Sequence, residues 1–97
     1  MFQLDNFKKV VEKSGLTKVE LAALYGVTRQ TIHYWITTGP PREGSYTDRM
    51  AETITEAILN AIAKGILPLT AIAKQARTDR ILRMAKTLQS LKPAPVQ

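Results

Sequence analysis

Ninety-seven residues suffice for one hydrophobic core and not for two, and a chain with no cysteine and one histidine excludes a disulfide framework and a thiolate metal site and argues against any protein-only metal centre. The net charge of +6 is unevenly placed: residues 1–62 hold seven Lys or Arg against seven Asp or Glu, whereas residues 63–97 hold seven basic residues against Asp79 alone. A basic chain invites nucleic acid as its partner, and no stretch approaches the ~20 apolar residues of a membrane span or the apolar run of a signal peptide.

In chain order, Leu4, Phe7, Val10 and Val11 predict a first helix over about residues 5–13, which Ser14-Gly15 ends. Thr17, with Glu20 three residues on, is a capping box that opens a second helix, and Leu16 before it is expected in the core. The stretch from 18 to 37, KVELAALYGVTRQTIHYWIT, then reads as helix, tight turn, helix. Leu21, Ala22, Leu24 and Tyr25 form one apolar stripe at helical spacing; Ile32, Trp35 and Ile36 form another, with Val27 between them. Gly26 lets the backbone take a positive φ where the second helix ends, and Thr28 is placed to cap the third. Ala22 is small, so two helices crossing near a right angle can approach closely there. Trp35 shares the buried stripe of Ile32 and is expected in the core.

This segment resembles the helix-turn-helix of the phage Cro and repressor family and its bacterial relatives, at Leu21, Ala22, Gly26, Val27, Thr28, Ile32 and Trp35. The match covers about a fifth of the chain, and with the flanking helices about the first two-thirds. It departs from many relatives at Ile36, where an acidic residue often follows the tryptophan. The resemblance implies that the helix after the turn enters the DNA major groove, with Arg29, Gln30 and Tyr34 reading bases and His33 as a further candidate. The residue chemistry agrees: arginine forks onto guanine, glutamine onto adenine, and all four lie opposite Ile32, Trp35 and Ile36. Thr17 and Lys18 at the start of the second helix are expected at phosphates, as are Thr28, Thr31 and Arg42 around the third.

Beyond the third helix, Gly39-Pro40-Pro41-Arg42-Glu43-Gly44 reads as a stiff loop. Ser45 or Thr47 caps a fourth helix running to about residue 64, with Met50, Ile54, Ala57, Ile58, Ala61 and Ile62 on one face, opposite Glu52 and Glu56; Leu59 falls off that face and is expected on the surface in preference to a contact with a second subunit. Pro68 breaks this helix, and a helical run over about residues 69–91 follows in two apolar phases. Leu69, Ile72, Ala73 and Ala76 form the first, and Ile81, Met84, Ala85, Leu88 and Leu91 the second. Either the run breaks near Thr78, which would cap the last piece, or one straight helix buries two faces; the break is the preferred reading. The basic residues Lys74, Arg77, Arg80, Arg83 and Lys86 wind around this run. They read as a solvated face, an auxiliary DNA contact, or a docking surface for an acidic protein.

The expected fold is therefore all-α: five to six helices, with a lambda-repressor or Cro-like helix-turn-helix domain over 1–64, a C-terminal helical extension over 65–92 and a disordered tail over 93–97. Ile81, Met84, Leu88 and Leu91 exceed what a minimal domain of this kind needs and are expected to hold two copies together. The expected function is a homodimeric, sequence-specific transcription regulator of phage or prophage type, acting on a palindromic double-stranded DNA operator in the cytoplasm of a bacterial host. The alternative is a protein-interaction module, an inhibitor or antitoxin, that uses the same scaffold and the basic C-terminal helices. No catalytic constellation, phosphate-binding glycine loop, cofactor site, metal site or small-molecule ligand is expected.

Overall fold

The computed structural model describes residues 2–69 and 74–91, so the part of the helical run at Ile72 and Ala73, the side chain of Lys74 and the expected tail over 93–97 lie outside the described residues. The fold is all-α, with helices α1 (Leu4–Lys13), α2 (Lys18–Tyr25), α3 (Arg29–Thr37), α4 (Tyr46–Ala63) and α5 (Lys74–Gln89), and no strand among the described residues.

Local sequence signals set the helix ends. Thr17 caps α2: its hydroxyl accepts from the Glu20 amide at 3.1 Å, and the Glu20 carboxylate accepts from the Thr17 amide at 2.9 Å. Two backbone groups that a bare helix terminus would leave to solvent are thereby satisfied. Gly26 ends α2 at φ 71°, a left-handed conformation that glycine adopts without a Cβ penalty. The Val27 amide then donates back to the Ala22 carbonyl at 3.0 Å, and the chain turns sharply into α3. Thr28 caps α3 by accepting from the Thr31 amide, and Ser45, of the two candidates, caps α4 by accepting from Asp48.

The centre of the molecule is aromatic. Phe2, Phe7, Tyr25 and Trp35 pack as a cluster with ring centroids 5.4 to 5.8 Å apart, mostly edge to face, and each is 3% exposed or less. The Tyr25 hydroxyl shares a 2.6 Å hydrogen bond with Thr55 of α4, so its one polar atom is not left unsatisfied among the rings. Buried Asp48 ties the chain start to the loop before α4, accepting from the amides of Phe2 at 2.7 Å and Gly44 at 2.9 Å. Burial alone would raise its pKa; the hydrogen bonds from the Gly44 and Phe2 amides act the other way, and the net value lies below the ordinary one.

Three expectations for the second half of the chain are corrected. The run does not break at Thr78, because α5 passes through that residue as one helix. Of the first apolar phase, Ala76 is exposed and Leu69 reaches the core from the segment before α5. Leu59 is half-buried against the core instead of lying on the surface. Finally, Ile81 and Leu88 are 4% and 7% exposed within the chain's own core, where α5 packs along α2. Two turns apart, they share one helix face, and that face is occupied without a second copy. Met84 also packs partly against the core, and of the four residues expected at a dimer interface only Leu91 is largely exposed. The core is continuous across residue 64, since Leu67, Leu69, Ile81 and Leu88 belong to the same cluster as Phe7 and Trp35.

Candidate nucleic-acid interface

Helix α3 presents two contrasting sides. Ile32 and Trp35 are buried, whereas Arg29, Gln30, His33 and Tyr34 are all exposed. Arg29 and His33 are four residues apart, as are Gln30 and Tyr34, so the four form two adjacent rows on one face. That face combines a guanidinium, an amide, an imidazole and a phenol, each able to hydrogen-bond in the plane of a base edge. Packing of Ile32 and Trp35 into the core orients the rows outward, and the turn at Gly26 sets the direction of α3 against α2.

The residues expected at phosphates have varied surroundings. Thr28 and Thr31 share a 2.9 Å hydroxyl hydrogen bond beneath the α3 cap, which leaves each with spare capacity but a restricted rotamer. Thr17 is engaged by Glu20 through both its amide and its hydroxyl, so an anion at the start of α2 would approach a carboxylate that already satisfies that amide. Arg42 is exposed in the loop after α3, held in place by Ser45, whose amide and hydroxyl both donate to the Arg42 carbonyl. Lys18 points across to α3, its ammonium donating to His33 Nδ1 at 2.9 Å.

Sequence reasoning missed the clamp that holds α5 in place. Arg77, from the basic run, forms a fork on the Glu20 carboxylate, with Nε and one terminal nitrogen each 2.8 Å from an oxygen. It also donates to the backbone carbonyls of Gly15 and Leu69. A planar guanidinium suits this bidentate task in a way that lysine would not. Glu20 was legible as the capping-box acid; its partner 57 residues later was not, because nothing local distinguishes Arg77 from Arg80 or Arg83. At the other end of α5 the Gln89 side-chain amide donates to the Leu24 carbonyl at 2.9 Å, closing the last turn of α2.

The Arg77 hydrogen bonds lower the Glu20 pKa to about 2 from 4.5, against a smaller opposing effect of burial. A carboxyl whose folded pKa is depressed contributes stability above its unfolded pKa and loses it as pH falls towards the folded value. The ionised Glu20 carboxylate, held by Arg77 and by the Thr17 cap together, is therefore expected to contribute at most about 3 kcal/mol at neutral pH, fading between pH 4.5 and about 2. Urea unfolding of the wild type and Glu20→Gln across that range checks this: the stability difference should be largest at neutral pH and vanish in acid. A difference independent of pH would assign the stability to packing instead.

Two further features complete the surface. An apolar groove of about 250 Å³ runs between α4 and α5, lined by Ala57, Ile58, Ala61, Ile66, Met84 and Leu88 together with Arg83 and Thr87. Among the described residues no group of three or more His, Cys, Asp or Glu could hold a metal ion, and no helix is long and apolar enough to cross a membrane. No family model matches the chain, and no curated protein or solved structure matches it either.

Proposed function

We propose that this chain is a sequence-specific DNA-binding transcription regulator of the phage Cro and repressor type, in which α2 and α3 form the helix-turn-helix and α3 enters the major groove. The observation that carries this reading is the division of α3 between a buried Ile32–Trp35 side and an exposed row of Arg29, Gln30, His33 and Tyr34. A solvated helix face needs no such concentration of planar hydrogen-bonding groups, and a base edge does. Thr28, Thr31 and Arg42 would meet the flanking phosphates, and the protein would act as a repressor by occupying an operator and excluding polymerase.

Homodimerisation on a palindromic operator belongs to the same proposal, with its interface moved. Ile81 and Leu88 are committed to the core, so a second copy would meet Met84, Leu91 and the exposed Ile66 beside the α4–α5 groove. Sedimentation of the full chain as a monomer at micromolar concentration would remove the dimer. The alternative reading, a protein-interaction module, draws on that same groove and on exposed Arg80, Arg83 and Lys86.

Selection of bound sequences from a random DNA pool, followed by footprinting, tests the function. On the selected site, Arg29→Ala and Gln30→Ala are each expected to cost about 1–3 kcal/mol while leaving nonspecific binding and folding nearly intact. Binding should also weaken steeply with salt through counterion release. If no sequence is enriched, or both variants bind the selected site as tightly as the wild type, the assigned face is wrong.

A further inference from the structure

His33 is the only histidine in the chain, it is exposed on α3, and its Nδ1 lies 2.9 Å from the Lys18 ammonium of α2. A lysine ammonium carries three donors and no acceptor, so this hydrogen bond exists only when Nδ1 offers its lone pair. The proton of the neutral ring is then on Nε2. The two ring nitrogens flank Cε1, so with Nδ1 turned to Lys18 the Nε2–H edge is directed elsewhere. Glu20, the acid nearest Lys18 in sequence, does not compete for the ammonium, because its carboxylate already accepts from Thr17 and forks with Arg77. The His33 carbonyl accepts from the Thr37 hydroxyl at 2.9 Å, a contact with the backbone that leaves the ring to Lys18.

We infer that Lys18 is a positioning residue that sets His33 as a hydrogen-bond donor through Nε2–H, so that α3 reads an acceptor at that point of the groove. The inference rests on the DNA-binding reading and deepens it. The acceptors available on major-groove edges are guanine N7 and O6, adenine N7 and thymine O4; the amino groups of adenine and cytosine offer only donors. His33 therefore discriminates against a cytosine edge and favours a purine N7 or a carbonyl oxygen. It also changes the part assigned to Lys18: one of its three donors is spent on the ring, and its effect on binding is selective at one base pair.

Two measurements test this separately. In the full-length protein without DNA, long-range nitrogen-proton NMR of the single imidazole should show the Nε2–H tautomer, and in Lys18→Met the Nδ1–H tautomer should appear beside it. A wild-type ring protonated on Nδ1, or a spectrum unchanged in Lys18→Met, overturns the assignment. On the site selected by the wild type, Lys18→Met and His33→Ala should each lose roughly tenfold in preference at the same base pair, with no further loss in the double variant. Replacing the purine at that position by its 7-deaza analogue should reproduce the loss where N7 is the acceptor. If Lys18→Met instead weakens binding uniformly across sequences and reduces the salt dependence, Lys18 is a phosphate contact and the proposal is overturned. If the tautomer is as stated but no DNA sequence is selected, the ring assignment stands and the DNA-binding reading falls.

Discussion

A chain ending at Lys64 is expected to lose cooperative folding. Such a truncation removes Leu67, Leu69, Ile81 and Leu88, four side chains that are each 8% exposed or less. At about 1.5–3 kcal/mol for burying one such side chain, their loss amounts to roughly 6–12 kcal/mol, comparable with the whole stability of an ordinary small domain at about 5–15 kcal/mol. It also uncovers the side of α2 against which α5 packs, strips Arg77 from Glu20 and leaves the Leu24 carbonyl without Gln89. Thermal unfolding followed by circular dichroism checks this: the truncated chain should show little helix and no sharp transition. A cooperative melt near that of the full chain would show that residues 1–64 close a core unaided, as the sequence alone led one to expect.

Replacing Trp35 by alanine is expected to destabilise the protein by about 3–5 kcal/mol. The indole touches three other rings, Phe2, Phe7 and Tyr25, with centroids 5.6 to 5.7 Å away, so its removal opens a cavity that the chain start, α1 and α2 would have to close. Collapse is hindered because Tyr25 is held by its hydrogen bond to Thr55 and Phe2 by the hydrogen bond that its backbone N–H donates to the Asp48 carboxylate. Trp35→Phe retains ring packing and should lose much less. Chemical unfolding of both variants separates them, and wild-type tryptophan emission should be blue-shifted and shielded from quencher. A water-like emission maximum in the folded protein would contradict the burial of Trp35.

The buried tryptophan also sets the orientation of the proposed reading face, so stability and specificity are linked through one helix. Variants at Ile32 and Trp35 should unfold the protein before they alter base preference. Variants at Arg29 and Gln30 should do the reverse.

Much of the first half of the fold is legible locally. Thr17 and Glu20 three residues apart, a glycine after an apolar stripe and Thr28 before the next one each act within a single helical turn, and each produces the helix end it predicts. The exposure of Arg29, Gln30, His33 and Tyr34 follows from the same periodicity that buries Ile32 and Trp35. Phe2 was not legible: a single aromatic residue before the first helix has no periodicity, and only its 5.4 and 5.6 Å contacts with Phe7 and Trp35 place it in the core.

The sequence by itself determined the first three helices, the caps of α2 and α3 and which side of α3 faces out, because those depend on residues within about one turn of each other. Only the tertiary structure decided what the C-terminal third does. An apolar stripe such as Ile81–Leu88 specifies that something must cover it, yet its spacing is the same whether the cover is α2 of the same chain or a second copy. A basic residue such as Arg77 is likewise one of several until Glu20 and two carbonyls converge on it. Lys18 and His33, 15 residues apart, meet only because the turn at Gly26 brings α2 and α3 together. Burial and hydrogen bonding between distant elements are properties of the packed chain, and local spacing carries no information about the partner.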